Sequence, residues 1–426
     1  MDSSPSTASR SSSDDARNRA MGAGIVDDPY PLLHEMRAAC PVQRGSVAAR
    51  LGVRPPVTAE GGEVCVLTHD EGLQVLRDTA TFSSHFYEAA LGDNVGRALI
   101  GLDPPEHQRH RSLLQPAFSQ REMEWWETDI VRPIVRSYLD PLVQAGRGDL
   151  YADFAAHVPI HVTAVAIGLP PGDIGLFVEW AVTMTSPVES PEARVGASRA
   201  VEEYIRPLVT DRRAAPRRDL LSLLVQAQVP DDEEVGVARD PLSDQELVDF
   251  VRLLIVAGAS TVYRAYGVLL YGLLSDPRQL DAVRADRALI PQAIEESLRW
   301  EQPVTGLSRL CTKPATVGGV DVRQGDTVTV EIGAVNHDPS VWPDPDRFDI
   351  FRDPHPHLSF GFGRHRCLGI HLARMELEVM LAETLDHFPG LALDPSAVAP
   401  HLTGLVFRMV TGLPVTWQVP DTSPAR

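Results

Sequence analysis

The feature that most limits how this chain can fold is a helix-forming run from Ser243 to about Leu274. Ser243-Asp244-Gln245-Glu246 is a capping box, in which serine and glutamate satisfy each other's backbone N–H groups. Apolar residues then continue from Leu247 past Leu270. At about 1.5 Å per residue such a helix spans roughly 45–50 Å, enough to cross a whole domain. A helix apolar on nearly all sides is a buried one, so the rest of the chain must pack around it. Inside it stands Ala257-Gly258-Ala259-Ser260-Thr261. Hydroxyls beside a glycine in a buried helix take carbonyls from the ladder and bend it, which makes at least a packing notch.

A second stretch carries chemistry: Phe360-Gly361-Phe362-Gly363-Arg364-His365-Arg366-Cys367-Leu368-Gly369. Glycines at 361 and 363 let the backbone turn tightly and approach a flat ligand. After Cys367, Leu368, Leu372, Met375 and Val379 fall at helical spacing, which puts the cysteine at a helix N-terminus where a thiolate is favoured. A thiolate there is a soft ligand for iron, and one axial cysteine is the ligation that prepares haem for O–O cleavage. The bland alternative is an inert buried thiol. A dinucleotide loop fails, because no third glycine follows Gly361 and Gly363 at the required spacing.

These ten residues resemble, without a gap, the haem-binding loop of the cytochrome P450 family. Further motifs extend the likeness over residues 25 to 418. The resemblance implies a mainly α fold with small β-sheets and the long central helix over a buried haem b, held by Cys367. It implies that Phe360, Gly361, Gly369, Ala257 and Gly258 wall the cofactor. His107 and Arg111, four apart on the helix opened by Asp103-Pro104-Pro105-Glu106, would bind the haem propionates together with Arg309 and His365. Arg109 and His110 point elsewhere and are candidates for docking an acidic electron donor. Glu296, Arg299 and Arg347 resemble the family's structural Glu-Arg-Arg triad. Phe86, Tyr87, Val256, Val304 and Leu307 are the candidate substrate pocket, with residues 80–101 as the loop closing over it and helices near 172–212 as its roof.

Thr261 and Ser260 are the candidate catalytic pair in an oxygen-binding groove. Here the chain departs from the family, which has an acid immediately before that threonine. A serine relays protons only by borrowing a water. Two reactions therefore stand side by side: O2-dependent hydroxylation of an apolar or aromatic small molecule, in secondary metabolism, and oxidative C–C or C–N coupling without oxygen insertion. A non-catalytic haem sensor ranks last, since no His or Met stands in the groove to fill a second axial position. No flavin or iron–sulfur motif is present, so electrons must come from an external ferredoxin and its reductase, or from peroxide.

The remaining sequence is consistent with that reading. Lysine and arginine total 39 against 58 acids, a net charge of −19, which argues against nucleic acid or an anionic membrane as partner. Cys40, Cys65, Cys311 and Cys367 form neither a disulfide framework nor a zinc pattern. No signal peptide opens the chain, and no apolar run is read as membrane-spanning, so a cytoplasmic monomer is expected. Residues 1–22 are predicted disordered, 23–420 a single domain, and 421–426 a frayed tail. Between 122 and 226 helix follows helix, 229–241 is an acidic connector, and Val-rich alternation with Gly318-Gly319 and Gln324-Gly325-Asp326 predicts a small sheet over 317–330.

Overall fold

The central helix forms as its capping box dictates. The computed structural model describes residues 26–53, 61–185, 189–229 and 239–420. Ser243 Oγ accepts from the Glu246 amide at 3.2 Å, and Glu246 Oε2 accepts from the Ser243 amide at 2.7 Å. The helix runs as α-helical Asp244–Leu254, a π-helical turn Ile255–Ala259, and α-helical Ser260–Ser275. Its 32 residues make it about 48 Å long. By length and composition it could cross a membrane, contrary to the expectation that no run would qualify. Its most apolar window is 61% buried inside the protein, the setting of a core helix.

Around it pack the helices Val158–Ile167, Ile174–Thr185, Pro191–Ala214, Ile290–Trp300 and Ile370–His387, sharing one large apolar core. Tyr266 on the central helix and Thr384 on the last of these exchange a hydroxyl hydrogen bond at 2.7 Å, both buried. At Gly267 the helix surface is bare, and Tyr151 uses the space: a Cβ there would lie 2.7 Å from its ring.

The main sheet has five strands: β1 (Val42–Arg44), β2 (Glu63–Val66), β3 (Phe82–Ser83), β4 (Gly306–Cys311) and β5 (Thr327–Glu331), in the order β1-β2-β5-β4-β3. Only the β2–β5 pairing is parallel. Gly318 and Gly319, at φ +52° and +79°, close the hairpin Ala315–Val317/Val320–Val322. That double positive φ is what a tight hairpin turn requires and what glycine permits. Two further small sheets lie near the C-terminus. The fold is therefore mainly α with small sheets, as expected from the sequence.

Residues 80–101 are more ordered than their lack of period predicts. They hold β3 and a helix, Phe86–Val95, ending at Gly96. Long-range contacts hold this helix: Ser198 Oγ donates to the Asn94 carbonyl at 2.7 Å, and the Arg97 amide donates to Asp249 of the central helix at 3.1 Å. The two predicted tails, residues 23–25 at the expected start of the domain, and most of the acidic connector fall outside the described residues.

Candidate active site

The Phe360–Gly369 loop is built by backbone hydrogen bonds. The Gly361 amide donates to the Leu358 carbonyl at 2.8 Å, and the Cys367 amide donates to the Phe360 carbonyl at 2.8 Å. Gly363 has φ +71°, and a Cβ there would stand 2.9 Å from the Leu76 carbonyl oxygen, so the loop is pressed against its neighbour. Gly369 precedes the helix Ile370–His387. Cys367 thus sits three residues before the helix instead of at its first turn. Burial pushes its thiol up, not down as a helix terminus alone predicts; the Gly369 N–H and the charges of Arg111, Arg366 and Arg374 oppose that push. Arg374 also lies over the Phe360 ring, 5.1 Å from its centroid, and its guanidinium is held on both oxygens of Glu295 at 2.6 and 2.8 Å.

Beside this loop the structure gathers donors without acceptors. The rings of His107 and His365 lie 4.0 Å apart. His107 Nε2, His365 Nε2 and Arg309 Nε are buried and have no hydrogen-bond partner. Burial, then the nearby Arg111 and Arg364, depress His107 to about 4. Burial, then His107, Arg309 and Arg111, depress His365 to about 2. Burial and its arginine neighbours therefore disfavour the cation at His107 that its place in the sequence suggests. Arg111 Nη1 donates to the Arg366 carbonyl at 2.6 Å, which fastens this helix to the cysteine loop. Buried polar atoms are normally paired, so orphaned donors together with Arg111 describe a place built for an anion. The two carboxylates of a porphyrin fit it.

On the central helix, Thr261 Oγ1 donates to the Ala257 carbonyl at 2.8 Å and Ser260 Oγ to the Val256 carbonyl at 3.4 Å. These bonds flank the π-turn, where ladder partners are displaced. Ala257 is exposed although it lies mid-helix, and a Cβ on Gly258 would meet only Leu254, at 3.6 Å. The groove therefore has open space against it. Val256, Phe360 and Leu368 pack on the same core cluster.

Tyr87 lies against β4: its hydroxyl accepts from the Ser308 amide at 3.2 Å, and Arg309 stands 6.0 Å from its ring centroid. Leu307 reaches the loop, 3.5 Å from where a Gly361 Cβ would be. Val304 pairs in an isolated β-bridge with Phe407. Phe86 departs from expectation. It lines a separate cavity of about 140 Å³ with Gly306, Ser308, Thr329 and Glu331. Gly306 and Ser308 alternate with Leu307 and Arg309 along β4, so that cavity is on the opposite sheet face.

Two other assignments change. Glu296 receives Arg299 at 2.7 and 2.9 Å, but its second arginine is Arg352, at 3.3 Å. Arg347 is 59% exposed, 3.7 Å from Asp349, and contributes only its carbonyl to the cluster. Arg109 and His110, offered as a docking patch, turn inward instead: both bind Glu246 of the capping box, at 2.7 and 2.9 Å. Sequence reasoning also missed Arg264, Phe407 and the Arg374–Glu295 pair; none carries a local motif.

The sequence matches the family model described as Cytochrome P450 over residues 192–407. It is 34% identical to cytochrome P450 monooxygenase PikC of Streptomyces venezuelae over 417 residues, 94% of this chain and 93% of that protein. It is also 34% identical to nocardicin C N-oxygenase of Nocardia uniformis subsp. tsuyamanensis, over 95% of this chain and 99% of that one. Among solved structures, CYP109E1 from Bacillus megaterium in complex with testosterone superposes with a TM-score of 0.79 at 28% identity, covering 92% of this chain and all of that one.

Proposed function

From the premise that the chain belongs to the cytochrome P450 family, we propose that it hydroxylates an apolar or aromatic small molecule of secondary metabolism. It is a haem-thiolate enzyme of the monooxygenase class. The observation that carries the assignment of its residues is the set of unpartnered buried donors, His107, His365 and Arg309, beside the Cys367 loop. In this reading Cys367 ligates the iron, and those three residues with Arg111 hold the propionates. Phe360, Gly361, Gly369, Ala257 and Gly258 form the walls, and Tyr87, Val256, Val304 and Leu307 face substrate. Electrons come from a separate ferredoxin and ferredoxin reductase, and the enzyme works as a cytoplasmic monomer.

Haem held there would supply the reductive activation of O2 that a monooxygenase needs. The chain supplies the surroundings. Cys367 must give up its proton to become a ligand, and Arg111, Arg366, Arg374 and the Gly369 N–H stabilise the resulting charge. Thr261 spends its own hydrogen on the Ala257 carbonyl, so its oxygen is left to accept a hydrogen bond in the groove. Ser260, more loosely tied to Val256 at 3.4 Å, can turn to pass a proton from water. The Arg374–Glu295 pair steadies Phe360 behind the ligand.

Two measurements test this. Cys367→Ser should abolish the thiolate-type spectrum of the reduced carbon-monoxide complex; an unchanged spectrum removes Cys367 as ligand. Isotopically labelled O2 should appear in the product. Label-free product would instead support the coupling reading, which the Ser260 position favours.

A further inference from the structure

Among the described residues six arginines are buried: Arg212, Arg252, Arg264, Arg299, Arg309 and Arg408. Four of them are paired with a carboxylate, on Asp219, Asp249, Glu296 and Glu301 respectively for Arg212, Arg252, Arg299 and Arg408. Arg309 is accounted for by the cofactor carboxylates. Arg264 is the one left over. The geometry points to Arg264 as the substrate-recognition residue for a carboxylate, so that the molecule oxidised here is an organic acid. This inference rests on the haem-thiolate reading of the same site.

Arg264 is 6% exposed. Its Nη1 donates to the Ser260 carbonyl at 2.9 Å, and its buried Nε has no acceptor. Its guanidinium lies over two rings, 4.9 Å from the Tyr263 centroid and 4.8 Å from that of Phe407. Ring faces and one carbonyl offset part of the cost of burying a cation, but they are weaker partners than the carboxylates its four counterparts keep. A planar guanidinium with free donors is suited to an oxyanion, and stacking fixes its orientation in advance.

Its place ties it to the reaction site. Arg264 follows Ala257, Ser260 and Thr261 at helical spacing, on one stripe of the central helix. Phe407, on its other side, is bridged to Val304. The guanidinium thus lies between the groove helix and Phe407, whose backbone is bridged to Val304. An acid seated on Arg264 would also stand one turn from Ser260, where the family's own acid is missing.

The test uses the purified holoenzyme and the change in ferric haem absorbance when substrate-like molecules bind. Lauric acid and naphthylacetic acid are each titrated against their methyl esters. In the wild-type protein at least one acid should bind about tenfold or more tighter than its ester. Arg264→Gln should bring that acid down to the level of its ester, and Arg264→Lys should restore part of the difference. Equal binding of acid and ester on both frameworks, no binding of any of the four, or a preference that survives in Arg264→Gln overturns the proposal. A loss of thermal stability with the acid-to-ester ratio unchanged would make Arg264 a strut and overturns it equally. Should the glutamine variant fail to fold, the wild-type ratio and the lysine variant decide. A holoenzyme whose carbon-monoxide spectrum lacks the thiolate band would defeat the haem reading itself; an intact band without acid preference defeats only this inference.

Discussion

Arg352 places its Nε 3.3 Å from Glu296 Oε1, on the carboxylate that Arg299 grips from within its own helix. The Asp349 amide donates to the same oxygen at 2.9 Å, so a buried acid is met by two arginines and a backbone N–H. Removing one partner of a buried charge cluster leaves the rest uncompensated. Arg352→Ala should therefore cost about 2–4 kcal/mol in urea unfolding. Arg347→Ala removes only an exposed pair and should cost less than about 1 kcal/mol. Equal losses would restore Arg347 to the cluster.

Arg309 is a buried cation whose charge helps depress the unpartnered His365, and its Nε has no acceptor. Arg309→Leu should let haem leave roughly tenfold faster, followed by transfer to apomyoglobin, because a charge-assisted contact is lost. Unchanged release would mean that the cluster binds something else.

At Gly363, φ is +71° and a side chain would run into the Leu76 carbonyl at 2.9 Å. Gly363→Ala combines backbone strain with a clash against main chain, for a loss of about 2–4 kcal/mol. Haem uptake should fall along with stability. Normal incorporation and an unshifted melting temperature would show that the loop has slack.

Glu376 is buried, with Oε2 unpartnered, and burial raises its carboxyl to about 8. The folded state thus binds this proton more tightly than the unfolded chain does. Its contribution is fully present below about 4.5, the ordinary value, and is lost as pH rises towards 8. Glu376→Gln should leave stability nearly unchanged at about pH 5 and raise it by on the order of 3 kcal/mol at about pH 8. Parallel stability curves for the two proteins would refute the assignment.

Ser260→Asp would set a carboxylate one turn from Arg264, whose Nη1 already holds the residue 260 carbonyl. The variant should bind acids less tightly and change the fraction of reduced dioxygen released as hydrogen peroxide. If neither moves, Ser260 does no more than pack.

The amino-acid sequence by itself determined what depends on neighbours in the chain. The capping box at Ser243, the glycine-punctuated loop ending at Cys367, and the His107/Arg111 spacing are all local patterns, and each folds where its spacing places it. Helical periodicity likewise located the helix after Cys367, although its first turn came three residues late. Tertiary structure decided whatever depends on which distant groups meet. Arg347 and Arg352 are five residues apart and equally eligible on paper; the turn between them delivers only Arg352 to Glu296. Phe86 and Tyr87 are adjacent, yet Phe86 lines a cavity with Gly306 and Ser308 while the Tyr87 hydroxyl accepts from the Ser308 amide. Burial, which no local spacing encodes, disfavours the cation at His107, raises the Cys367 thiol, and isolates Arg264 without an acid. Spacing along the chain sets a residue's direction, whereas its charge state and its partner depend on the solvent that folding removes and the groups that folding brings near.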